Sequence, residues 1–133
     1  MKILFICKHN KFRSKVGEAV FNKLNKNKNI TAESAGIIGS EHSTPETVIK
    51  LLKEKGYAIK RKATRRIDSI RINDYDTLII TADNVDPLFF KDSFKGKIIW
   101  WKITDCTDIE IAEIKKRINK IEENVKKLIK ELN

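Results

Sequence analysis

"KILFICKHNKFRSKVGEAVFNKL", residues 2 to 24, runs through an apolar segment, a polar and basic loop and a helical pattern in that order. "KILFIC" is continuously apolar after its first residue, which suits a strand covered on both faces. From residue 14 to 26, Val16, Ala19, Val20 and Leu24 recur at helical spacing, so the helix is expected to begin directly after Arg13. Cys7 thus closes a strand, and Arg13 and Ser14 open a helix.

The rest of the chain repeats this alternation. "ITAESAG" reads as a second strand ending at Gly36. Thr44 before Pro45 reads as a helix N-cap with proline in the first turn, and Val48, Leu51 and Leu52 form the buried stripe of a helix ending near Gly56. "DTLIITA" and "KIIWWKI" (97 to 103) are the third and fourth strands. "TDIE", residues 107 to 110, has the capping-box form, and Ile111, Ile114, Ile118, Ile121, Val125, Leu128 and Leu132 follow as an amphipathic stripe. Asp108 then reads as a charge favoured by the helix dipole. Trp100 and Trp101 should alternate faces as core residues, and Phe89, Phe90 and Phe94 should pack in a loop or short helix. Strands separated by helices imply a parallel sheet with helices on both faces. The expected architecture is a single α/β domain over residues 1–133, its four strands in the flavodoxin-like order 2-1-3-4.

In such sheets ligands bind beyond the carboxyl ends of the strands. Two loops stand there, residues 8–13 after the first strand and "TDCTD" after the fourth. The bulk composition narrows the ligand. With 28 Lys plus Arg against 18 Asp plus Glu, the formal charge of +10 favours anionic partners. The densest basic block, "KRKATRR" (60 to 66), has no interleaved aromatic residue, which argues against nucleic acid as the main partner. Two cysteines, Cys7 and Cys106, make neither a disulfide framework nor a metal site. "MKILFICKHN" lacks the long apolar region of a signal peptide and no run approaches a membrane span, so a reduced, cytoplasmic protein without metal or cofactor is expected.

The loop "CKHNKFRS", residues 7 to 14, carries the chemistry. A cysteine is a useful nucleophile when its thiolate is populated, and a helix N-terminus with cationic neighbours favours that form. Backbone N–H groups of Lys8, His9, Asn10, Lys11 and Phe12, leading into a helix, can form a nest for an oxyanion. Arg13 adds a planar bidentate clamp. Ser14 can donate a hydrogen bond to the sulfur, and Asn10 can hold the tight turn through its side chain. His9 reads as loop packing or hydrogen bonding. Taken alone, Cys7 reads equally well as a small buried residue at a strand end; the Cys, five residues, Arg, Ser spacing between strand and helix favours the anion site.

On these residues the chain resembles the low-molecular-weight protein tyrosine phosphatases and the related thioredoxin-coupled arsenate reductases, whose loop is Cys, five residues, Arg, Ser. "ESAGI", "YDTLIITAD" and "WKITDCTD" resemble their second strand, third strand and acid loop, so the resemblance covers nearly the whole chain in order. It implies a cysteinyl-phosphate route in which Cys7 attacks phosphorus, Arg13 and the loop amides bind the equatorial oxygens, and Asp105 protonates the leaving oxygen. A phosphorylated protein or a small phosphate or oxyanion is the implied substrate.

The chain also departs from that pattern. Cys106 stands where the family usually has proline after the acid. "CTDIEIAE" and "IIGSEHS" lack the aromatic walls of a phosphotyrosine site, which points away from a strong phosphotyrosine preference. The "CxHNxxRS" loop leans toward the arsenate reductase branch, with thioredoxin as its partner. That branch implies two further cysteines after the third strand, and "TADNVDPLFF" has none. Cys106 is the available substitute, as a redox partner of Cys7. Phosphatase, arsenate reductase and a non-catalytic anion or phosphoprotein binding module are the readings carried forward.

Overall fold

The apolar runs become four parallel strands in the computed structural model, which describes residues 1–133. The strands are β1 (Lys2–Cys7), β2 (Thr31–Gly36), β3 (Thr77–Ile80) and β4 (Lys97–Trp100), and the helices are α1 (Arg13–Leu24), α2 (Glu46–Glu54) and α3 (Ile111–Leu132). The sheet order is β2-β1-β3-β4, the flavodoxin-like order expected. In register, Cys7 lies opposite Gly36, Ile6 opposite Ile80, and Ile80 opposite Trp100. The carboxyl ends of the strands therefore line up along one edge, and the loops leaving them meet there.

The continuous apolar character of β1 is explained by burial on both faces. Ile3 and Phe5 face a cluster built with Val16, Val20 and Phe21 of α1, Val48, Leu51 and Leu52 of α2, and Ile114, Ile118, Ile121 and Val125 of α3. Leu4, Ile6 and Cys7 face a second cluster with Tyr75, Leu78, Ile80, Val85, Phe90 and Phe94. Helical cover is present on both faces but differs in kind. The three α-helices share one face, and the other carries residues from short 3-10 helices and their flanks, such as Phe90 of Pro87–Phe90. Each fully buried Phe or Ile here contributes about 1.5–3 kcal/mol. No helix is long and apolar enough to cross a membrane.

Several local expectations need correction. The residue preceding α2 is Pro45, not Thr44, and no side chain caps that end. The Thr44 hydroxyl instead donates to the Lys62 carbonyl at 3.3 Å, and the Thr44 N–H donates to the same oxygen at 2.9 Å. A tertiary acceptor has won the hydroxyl from the helix end. At α3, the Glu110 carboxylate accepts from the Thr107 N–H at 2.9 Å, half of the expected capping box, but regular helix begins only at Ile111. Asp108 consequently precedes the helix rather than sitting in its first turn.

Trp100 and Trp101 do alternate faces, yet each is only half-buried. Trp101 packs on Phe5 at 5.9 Å between ring centroids, while the Trp100 indole N–H donates to the Ala82 carbonyl at 2.8 Å. Phe90 and Phe94 are buried, but Phe89 is exposed.

Candidate functional site

The loop between β1 and α1 owes its shape to Asn10, the one non-glycine residue with positive φ, at 60°. That conformation is disfavoured for most side chains and tolerated by asparagine. Here it is held by three bonds on a fully buried side chain. Its Nδ2 donates to the Ser14 hydroxyl at 2.7 Å and to the Ser34 hydroxyl at 3.0 Å, and its Oδ1 accepts from the Arg65 N–H at 3.0 Å. With the turn fixed in this way, the backbone N–H groups of Lys8 to Phe12 donate to no protein acceptor. These are the five amides that the sequence offers for an oxyanion.

Cys7, buried at the end of β1, sits with its sulfur 2.9 Å from the Ser14 hydroxyl. Since Ser14 already accepts the Asn10 amide, its own proton is free to point at the sulfur. Arg13, 3% exposed, ties together the exits of three strands. Its guanidinium donates to the Ile103 carbonyl at 2.8 Å, to Asn84 Oδ1 at 3.2 Å and to Asp83 Oδ1 at 3.4 Å, and lies 3.8 Å from Asp105 Oδ2. The Asp105 side chain is 57% exposed, and its Oδ1 accepts the N–H of Cys106 at 2.9 Å.

A cavity of about 270 Å³ gathers these groups. Cys7, His9, Lys11, Phe12 and Arg13 line it from one side and Asp105, Cys106, Thr107 and Asp108 from the other. Pro45, just before α2, Val48 of α2 and Ile114 of α3 supply apolar wall. His9 lines the cavity, its Nδ1 3.5 Å from the Gly39 carbonyl. Asp108 belongs to the lining as well, in place of the helix-end role expected of it. Both cysteines are free, and burial, followed by the carboxylates of Asp105, Glu110 and Glu113, pushes the Cys106 thiol up despite the Arg117 guanidinium. No group of three or more His, Cys, Asp and Glu side chains is arranged to hold a metal ion.

Two features of the site escape the sequence. The acid loop has no proline, but Arg117 of α3 grips it from outside: Nε donates to the Thr104 carbonyl at 2.8 Å, and Nη2 to the Thr104 hydroxyl at 2.9 Å and to the Asp105 carbonyl at 3.2 Å. The second is Asp83 and Asn84, which hold Arg13 from the end of β3. Arg117 reaches Thr104 and Asp105 only through the docking of α3, so no local signal marks it.

A family model described as "Low molecular weight phosphotyrosine protein phosphatase" matches residues 2–133. The low molecular weight protein-tyrosine-phosphatase YfkJ of Bacillus subtilis is 30% identical over 122 residues, covering 86% of this chain and 78% of its own. Among solved structures, an arsenate reductase from Archaeoglobus fulgidus superposes with a TM-score of 0.81 at 30% identity, covering 96% of this chain and 98% of its own. The Drosophila arginine phosphatase DARP superposes with a TM-score of 0.87 at 20% identity, over 100% of this chain and 98% of its own, a likeness of fold.

Proposed function

The chain belongs to the low molecular weight phosphotyrosine protein phosphatase family of phosphatase-type hydrolases, and from that premise we propose that it hydrolyses phosphate monoesters through a cysteinyl-phosphate. The observation that carries this reading is that Cys7, Arg13 and Asp105 line one cavity beside a run of unpaired loop amides. Cys7 attacks phosphorus, forming the P–S bond as the ester P–O bond breaks. The amides of Lys8 to Phe12 and the Arg13 guanidinium stabilise the equatorial oxygens. Asp105, in its acid form, gives its proton to the leaving oxygen. As carboxylate it then takes a proton from water, whose oxygen attacks phosphorus, and the P–S bond breaks to release phosphate and the thiolate. Protein phosphotyrosine and small aryl phosphates are the substrates proposed; apolar contacts in the cavity come from Phe12, Pro45, Val48 and Ile114.

The test is hydrolysis of an aryl phosphate by reduced protein in the presence of a chelator. Cys7→Ser should lose activity by at least about a thousandfold, the scale expected when a covalent route is removed. Wild-type protein that binds phosphate tightly without turnover would instead identify a binding module.

A second reading rests on a separate observation, that Cys106 lines the same cavity as Cys7 and both are free thiols. In it, Cys7 displaces an oxygen of arsenate. Cys106 then attacks the Cys7 sulfur, the two electrons of the As–S bond reduce arsenic from the +5 to the +3 state, and the disulfide formed is reduced by an external dithiol such as thioredoxin. Arsenate turnover lost in Cys106→Ser, with ester hydrolysis kept, would establish this reading over the first.

A further inference from the structure

The residue that follows the loop, Lys15, is 1% exposed and has no part in the chemistry above. Its Nζ donates to the carbonyls of Arg61 at 2.6 Å and of Ala63 at 2.8 Å, both in the basic segment 60–66. A lysine is an expensive choice for a buried position, more so beside Arg61 and Arg65, with Glu18 the carboxylate nearby. Burial first, then the Arg61 guanidinium, bring its ammonium down to about 8; Glu18 opposes them, Arg65 adds a smaller downward contribution, and Cys7 opposes least.

The segment that Lys15 holds reaches the nucleophile through a continuous chain of bonds. Its Arg65 carbonyl accepts the Gly36 N–H at 2.7 Å, pinning the segment to the end of β2, and its Arg65 N–H donates to Asn10 Oδ1. That donor decides which end of the Asn10 amide faces which way, because an N–H can be met only by the carbonyl end. The NH2 end is thereby directed at Ser14 and Ser34, while Ser34 passes its own proton to Glu18. Ser14, occupied as an acceptor, is left to donate to Cys7. We propose that Lys15 is a positioning residue for Cys7, acting through the 60–66 segment, the Arg65 N–H, Asn10 and Ser14 to aim a hydroxyl proton at the sulfur.

This rests on the phosphatase reading only for one of its two measurements. The first is the rate of Cys7 alkylation by iodoacetamide at pH 6.5 in a Cys106→Ser background, which holds whether or not the chain hydrolyses esters. The second is aryl phosphate hydrolysis. Lys15→Met, Asn10→Ala and the double variant form a cycle on each. Lys15→Met is expected to slow both rates by about fivefold or more, one hydrogen bond's worth of free energy. The double variant should lose no more than Asn10→Ala alone, since the two act in series. Lys15→Gln, whose amide can still donate to both carbonyls, should recover to within about twofold of wild type.

Losses that add in the double variant, unchanged rates in Lys15→Met, or Lys15→Gln no better than Lys15→Met would each overturn the proposal. If Lys15→Met shows no folded circular dichroism spectrum, Lys15→Ala, which leaves room for water at the two carbonyls, takes its place in the cycle. Absence of ester hydrolysis in wild type with the alkylation pattern intact would reject the phosphatase reading and uphold this one.

Discussion

Gly36 shows how little slack a single position has. It ends β2 opposite Cys7, and a Cβ built there would come within 2.7 Å of the His9 carbonyl carbon, 2.8 Å of the Asn10 nitrogen and 2.9 Å of the Lys8 carbonyl oxygen. All three are backbone atoms of the loop after β1 and cannot swing aside as a flexible side chain would. Gly36→Ala should therefore destabilise the protein by about 1–3 kcal/mol, as overpacking does. It should also weaken competitive inhibition by inorganic phosphate, and thermal melts paired with inhibition constants check both. The contiguous Cys7 to Ser14 is legible in the sequence because its spacing lies within one loop between a strand and a helix, although the remote partners of Asn10 and Arg13 are not. Lys15 and Arg117 are not, since a lysine or arginine on a helix is ordinarily solvated and only tertiary docking gives these two their acceptors.

At the scale of elements, α3 does more than cover the sheet. Its Arg117 holds the backbone on either side of Asp105, supplying from a neighbouring helix the stiffness that proline would have provided within the loop. Arg117→Ala should leave the nest and Cys7 in place while loosening the proposed acid. The expected outcome is a fall in kcat of about tenfold for alkyl phosphates, whose leaving oxygen needs a proton, and a much smaller fall for nitrophenyl phosphate. An equal fall for both substrates would count against Asp105 as the acid. The elements themselves are mostly readable: the strands and the apolar stripes of α2 and α3 follow from periodicity, and the strand order agrees with the flavodoxin-like order expected. Their ends are not: Thr44 gives its hydroxyl to the remote Lys62 carbonyl, and α3 starts only at Ile111 although the local bond from Thr107 to Glu110 forms.

For the molecule as a whole, Lys15 couples folding to pH. Its ammonium titrates near 8 when folded against an ordinary value of 10.5, so between those limits the unfolded chain binds the extra proton. Stability contributed by this group therefore rises with pH from about 8 toward 10.5 and is flat below 8. Tyr57 and Tyr75 act the other way. Burial and then hydrogen bonds to Glu122 and Glu33 push both hydroxyls up, Tyr75 to about 12, so their contribution is lost only above the ordinary tyrosine range near 10. Urea unfolding of wild type and Lys15→Met at pH 7.5 and 9.5 should show wild type gaining stability relative to the variant. An equal pH response in the two would remove Lys15 from the account.

The cavity walls have a different origin from its floor. The proposed nucleophile, anion-binding amides and clamp are written in one unbroken stretch of eight residues, whereas Pro45, Val48 and Ile114 come from α2, the residue before it, and α3. Under the proposed reading, reactivity is thus encoded as a block and selectivity is assembled piecemeal. Exchanging Val48 or Ile114 would then change which leaving group fits while the loop stays as it is, so a shared loop motif is a poor guide to a shared substrate.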